Sequence, residues 1–111
     1  MSGEKRSLTC KPACGGIASG RPVVIKGAAD LDLVGVGDVL VAVETDIAFV
    51  PAMHRAAAII TERGGRFSHA AVWARENQKP VVLQADSATK LLQAISSVTV
   101  DADRGIIEWD T

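Results

Sequence analysis

The sequence predicts an α/β fold, a compact sandwich of short strands with two or three helices. Three observations predict it. Short, near-continuous apolar runs recur at Asp38-Val39-Leu40-Val41-Ala42-Val43, Ala57-Ala58-Ile59-Ile60-Thr61 and Val81-Val82-Leu83, as in strands buried on both faces. Helical segments separate the later runs, which is the pattern of a βαβ unit with parallel strands. A hairpin signal, Asp103-Arg104-Gly105, stands between Val98–Asp101 and Ile106–Trp109 near the end.

Taken in order, residues 1–20 are rich in Gly, Ser, Cys and Lys and include Pro12, so they read as tail and loop, with a tail over 1–13 and the domain over 14–111. Arg21 to Lys26 contains a short strand, Val23-Val24-Ile25. Ala28 to Gly37 reads as a linker. The second strand, 38–43, ends at Thr45-Asp46 in turn or cap chemistry. Pro51 suits the first position of a short helix through Arg55. The strand over 57–61 then feeds a Gly64-Gly65 turn. A helix follows from His69 to about Asn77-Gln78, and Pro80 cannot continue it. Val81–Leu83 is the next strand. A further helix starts near Asp86-Ser87 and runs to about Ile95, ahead of the final hairpin.

Composition bounds the function. The chain has 111 residues, enough for one modest core, with 48% apolar and 23% charged residues. A net charge of −1 lacks the basic footprint of a nucleic-acid binder. No apolar run approaches the roughly 20 residues of a membrane span, and the N-terminus has no secretion-signal core. The expectation is a cytoplasmic protein, with neither nucleic acid nor membrane as partner. Cys10 and Cys14 form a lone CxxxC pair; zinc wants about four ligands, so both read as ordinary thiols and no metal site is expected.

The chemistry concentrates in Gly64-Gly65-Arg66-Phe67-Ser68-His69-Ala70-Ala71. Ser68 stands in N-cap position, worth about 1 kcal/mol, and His69 is the first helical residue. An imidazole there sits among free backbone N–H groups at the positive end of the helix dipole. That setting favours a neutral, nucleophilic ring and stabilises a phosphoryl group once attached. Gly64 and Gly65 allow a tight turn and close backbone approach to a phosphate. Arg66, on the entry turn, is the candidate guanidinium partner, whereas Arg75 lies almost two helical turns beyond His69 and reads as a surface or inter-element ion pair. The Ser68 hydroxyl is a candidate phosphoryl contact. Thr45 either ends its strand or supports the site. His54 reads as a rim histidine and Trp73 as core or half-core. Phe67 is either an interface anchor or packed under the loop.

The Gly-Gly-x-x-Ser-His-Ala-Ala core, followed by Ala74-Arg75-Glu76, resembles the phosphohistidine swivelling domain of phosphoenolpyruvate-utilising enzymes. That family includes pyruvate phosphate dikinase, phosphoenolpyruvate synthase, enzyme I of the sugar phosphotransferase system and rifampicin phosphotransferase. The resemblance spans about residues 14–109, through Gly37–Ala42, Thr45, Pro51-Ala52-Met53, Ala57–Ala71, Pro80-Val81-Val82 and Val98–Asp101 to Gly105. It implies a swivelling β/β/α sandwich with a phosphohistidine at a helix N-terminus. It implies that His69 shuttles a phosphoryl group between a donor site, for ATP or phosphoenolpyruvate, and an acceptor site. Gly64, Gly65, Arg66, Ser68 and Thr45 would support the phosphate. The implied partners are an ATP-grasp nucleotide-binding domain and a phosphoenolpyruvate/pyruvate-type acceptor domain. Mg²⁺ and nucleotide would sit at those partner sites, with no cofactor held by this chain alone.

Several positions depart from the pattern. Phe67 replaces a Thr two residues before the His. Gln78-Lys79-Pro80 replaces Gly-Ile-Pro, Gln84 replaces a glycine after the next strand, Ile47-Ala48 replaces a Pro-acid pair, and Asp101-Ala102 replaces Asp-Gly. These changes raise an alternative: a catalytically inert docking or regulatory module of the same fold. A stand-alone kinase or hydrolase has no support, since no Walker-type loop is present.

Overall fold

The computed structural model describes residues 3–111; Met1 and Ser2, part of the expected tail, lie outside the described residues. Nine strands and three helices form three layers. The strands are β1 (Lys5–Thr9), β2 (Lys11–Cys14), β3 (Ile17–Gly20), β4 (Pro22–Ile25), β5 (Val39–Ala42), β6 (Ala58–Thr61), β7 (Val81–Leu83), β8 (Val98–Asp101) and β9 (Ile106–Asp110). The helices are α1 (Val50–Arg55), α2 (His69–Asn77) and α3 (Ala88–Leu91). One sheet, β2-β7-β6-β5-β4, is parallel from β4 through β7, with β2 antiparallel on its edge. The other, β1-β9-β8-β3, is antiparallel throughout.

The apolar runs are continuous because the parallel sheet is the middle layer, buried on both faces. Side chains alternate across a strand, and β5 and β6 divide accordingly. Leu40, Ala42 and Ile59 pack with Met53, Ala71, Trp73 and Ala74 of α1 and α2. Val39, Val41, Ala58 and Ile60 pack with Val98, Val100, Ile107 and Trp109 of the antiparallel sheet. The β6–α2–β7 unit and the closing hairpin stand as the sequence predicts, and the fold is the expected β/β/α sandwich.

The N-terminal reading needs correction. Over residues 5–20 the expected tail and loop is instead three strands, two of them within 5–14, that tie into both sheets. β1 pairs with β9 from Lys5↔Asp110 to Thr9↔Ile106, and β2 pairs with β7. Both are edge strands, where polar residues and Pro12 are tolerated because one backbone edge faces solvent. The expected linker contains a 3₁₀ segment over Ala28–Leu33. The helix expected to reach Ile95 is only one turn, Ala88–Leu91, and Ala94 beyond it takes a left-handed conformation, φ 62°.

Candidate phosphoryl-carrying site

The site lies at the C-terminal edge of the parallel sheet, where loops leave β5 and β6. The two strands run in register from Val39↔Ala58 to Ala42↔Thr61. Backbone pairing continues past their ends: Glu62 N–H donates to Ala42 O at 3.1 Å and Arg63 N–H to Val43 O at 2.9 Å. The loop carrying Thr45 is thereby fixed beside the loop carrying Gly64, ahead of α2.

The start of α2 is built as its sequence demands. Ser68 is the N-cap, with extended backbone, and its Oγ accepts from Ala71 N–H at 3.4 Å. The same hydroxyl donates to Gly65 O at 2.9 Å. Its proton is therefore committed to the turn. Gly64 takes φ +115°, and a Cβ there would stand 2.9 Å from Ser68 Oγ. A side chain at Gly64 would collide with the cap itself. Gly65 has no such constraint; a Cβ on it meets nothing within 4 Å. The amides of His69 and Ala70 remain at the open helix end.

His69 is half-buried, and its Nδ1 lies 2.8 Å from Oγ1 of the buried Thr45. A threonine hydroxyl can accept as well as donate. When Nδ1–H donates to it, Nε2 keeps its lone pair, with no partner among the described residues. A cavity of about 210 Å³ adjoins the ring, lined by Thr45, Gly64, Ser68 and His69 together with Glu44, Thr61 and Arg63.

Thr45, Gly64, Ser68 and His69 thus come together, and Gly65 closes the turn behind them. Arg66 does not line this cavity. It is exposed, with its guanidinium 5.6 Å from the Phe67 ring centre, and Arg75 donates to its carbonyl oxygen at 2.7 Å. Arg75 is accordingly a brace for the entry turn rather than half of an ion pair. The cation at the cavity is Arg63, which sequence reasoning passed over; its position between a buried strand and Gly64-Gly65 was the available signal. Phe67 is 83% exposed, so it does not pack under the loop.

The departures have local consequences. Gln78 and Gln84, standing where the pattern has glycines, still adopt left-handed backbone, φ 54° and 58°. Gln84 adds a contact, its Nε2 donating to Gly64 O at 3.1 Å. Lys79 donates through Nζ to Met53 O, His54 O and Ala56 O at 3.0, 2.9 and 2.5 Å, satisfying carbonyls at the end of α1. His54 is exposed and meets Trp73 edge-on at 5.2 Å. Both cysteines are free, and burial pushes the Cys10 thiol up to about 11, which makes it a poor nucleophile. Among the described residues no cluster of three His, Cys, Asp or Glu side chains could hold a metal ion, and no helix is long and apolar enough to cross a membrane.

Comparison with known proteins gives this geometry its family. The chain is 52% identical over 92 residues to a probable phosphoenolpyruvate synthase of Pyrococcus abyssi, covering 83% of this chain and 11% of that protein. It is 42% identical over 106 residues to the phosphoenolpyruvate synthase of Neisseria meningitidis serogroup B, covering 95% of this chain and 13% of that one. The chain therefore spans only about a tenth to an eighth of the length of these relatives. Among solved structures, the N-terminal domain of Enzyme 1 - Nitrogen superposes with TM-score 0.56 at 28% identity, over 67% of this chain and 32% of that one. Aconitase X of Thermococcus kodakaraensis superposes with TM-score 0.67 at 20% identity, over 96% of this chain and 99% of that one, which is a likeness of fold alone. Residues 34–105 match the family described as PEP-utilising enzyme, mobile domain, and the chain belongs to that family.

Proposed function

We propose that this domain is a phosphoryl carrier, with His69 taking a phosphoryl group from ATP or phosphoenolpyruvate and passing it to an acceptor. The observation that carries this reading is the imidazole at the start of α2, its Nδ1 held by Thr45 at 2.8 Å. With Nδ1–H donating to Thr45 Oγ1, the Nε2 lone pair is available to attack phosphorus. The Nε2–P bond forms as the donor's P–O bond breaks, and that bond's electron pair leaves with the donor oxygen. The ring gains positive charge, which strengthens the Nδ1–H donation to Thr45. An acceptor oxygen then attacks the same phosphorus, and the P–N electron pair returns to Nε2. One difficult transfer becomes two displacements. The open amides of the helix end stabilise the phosphoryl charge in between.

In this reading the donor site, with nucleotide and Mg²⁺, belongs to an ATP-grasp partner. The acceptor site belongs to a phosphoenolpyruvate/pyruvate-type domain. Either could sit on another chain or on the same longer protein.

The test is intact-protein mass after incubation with ATP or phosphoenolpyruvate in host extract, with His69→Ala alongside. The expected result is an acid-labile, base-stable gain of one phosphoryl group in the wild type alone. The exposed Phe67 beside His69 favours a second reading, an inert docking module. Partner binding that survives His69→Ala, with no acid-labile phosphate on the wild type, would select it.

A further inference from the structure

The cavity beside His69 is lined by one cation and one anion, Arg63 and Glu44. Their head groups stand 3.8 Å apart, and their side chains are 74% and 69% exposed. An ion pair of that length and exposure contributes little to stability. The backbone beneath it is firmly held. Arg63 N–H donates to Val43 O at 2.9 Å, and Arg63 O accepts from the hydroxyl of fully buried Thr61 at 2.8 Å. Glu44 lies between Val43, which holds the Arg63 amide, and Thr45, which holds the His69 ring. A loosely paired guanidinium therefore stands on a fixed base at the edge of the cavity. The other nearby arginines are occupied elsewhere, Arg75 on Arg66 O and Arg66 over Phe67.

We propose that Arg63 binds the phosphoryl group carried on His69, and that Glu44 is its resting partner in the unmodified domain. Phosphorylation exchanges an Arg63–Glu44 pair for an Arg63–phosphoryl pair. The inference rests on the carrier reading. Its physical basis is the competition for one guanidinium. A phosphoryl dianion carries more charge than a carboxylate and offers three acceptor oxygens to the planar N–H fork. The weak existing pair costs little to break, and the exposed Glu44 side chain can turn to solvent once a like charge arrives.

The experiment uses potassium phosphoramidate, which needs no partner protein. Nε2 forms a bond to phosphorus, the reagent's P–N bond breaks, and ammonia leaves with its electron pair; the Nδ1 proton passes to solvent. A His54→Gln background leaves His69 as the single histidine. The phosphoryl group of the adduct is titrated by ³¹P NMR in three proteins: that background, the same with Arg63→Gln, and the same with Glu44→Gln. Losing the cation raises the phosphoryl midpoint by about half a unit or more, roughly a threefold gain in proton affinity. Losing the competing anion lowers it. Opposite shifts support the exchange, and a purely structural role for either side chain produces no such pair. Any other pattern overturns it, as does failure of the reagent to modify His69 in the folded protein. The carrier reading is tested separately by donor-dependent labelling. Labelling that succeeds while the midpoints stay put rejects Arg63 alone. Opposite midpoint shifts without labelling reject the carrier reading and keep the cation's place beside His69.

Discussion

Thr45 and His69, 24 residues apart in sequence, meet through a 2.8 Å contact between Oγ1 and Nδ1. That contact selects which ring nitrogen carries the proton, and so which one can attack. Replacing Thr45 with Val keeps the shape and removes the acceptor. Thr45→Val should lower the rate of phosphoryl transfer by roughly 10–100-fold, as loss of an orienting partner does at metal-bound histidines. Thr45→Ser should retain most of it. Nitrogen NMR of the imidazole would show the tautomer moving with the rate, and an unchanged tautomer in Thr45→Val would remove the basis of the effect.

The two glycines of the turn should behave differently. Gly64→Ala places a Cβ at φ +115° and 2.9 Å from Ser68 Oγ, so it should destabilise by about 1–3 kcal/mol. Gly65→Ala meets open space and should be neutral or gain up to about 1 kcal/mol through a less flexible unfolded chain. Urea unfolding midpoints of the two variants measure the difference, and equal losses would contradict the geometry.

Gln78 and Gln84 both hold left-handed backbone that glycine adopts without strain. Gln78→Gly should stabilise by about 1 kcal/mol, the ordinary cost of αL for a residue with a Cβ. Gln84→Gly should gain less, because it gives up the Gln84 Nε2 bond to Gly64 O. Thermal melting of both variants tests the order, and a larger gain at Gln84 would mean the tether to Gly64 contributes nothing.

Asp101 ties the closing hairpin. The Arg104 side chain donates to it at 2.7 Å and the Arg104 amide at 3.1 Å, holding its carboxyl below the ordinary carboxylate range. A carboxyl with a depressed folded-state pKa binds fewer protons folded than unfolded. Its contribution is present above the unfolded value, about 3.9, and is lost as pH falls through the folded one. Stability should therefore drop below about pH 4, and Asp101→Asn should flatten that acid limb. Urea midpoints at neutral and acidic pH compare the two proteins; parallel curves would refute the linkage.

Much of the fold is legible in local sequence. The apolar runs at β5, β6 and β7, the Ser68 cap and the turn at 103–105 are signals within a few residues of where they act. The N-terminal strands are illegible for the opposite reason. β1 reads Lys-Arg-Ser-Leu-Thr, mostly exposed and without alternation, and it is a strand only because β9 offers its backbone from the far end of the chain. The one-turn α3 shows the same limit, since apolar spacing at Ala88 and Leu92 records burial against the antiparallel sheet rather than helix length.

At the site, the sequence by itself determined the imidazole, its helix end and the glycine that lets the cap close, because these depend on neighbours along the chain. Only the tertiary structure decided which polar groups face that imidazole. The parallel pairing of β5 and β6 brings Thr45, Glu44 and Arg63 to His69, while the turn itself carries Arg66 away. Strand register is set by backbone hydrogen bonds between distant segments, and those bonds leave no periodic trace in either segment alone.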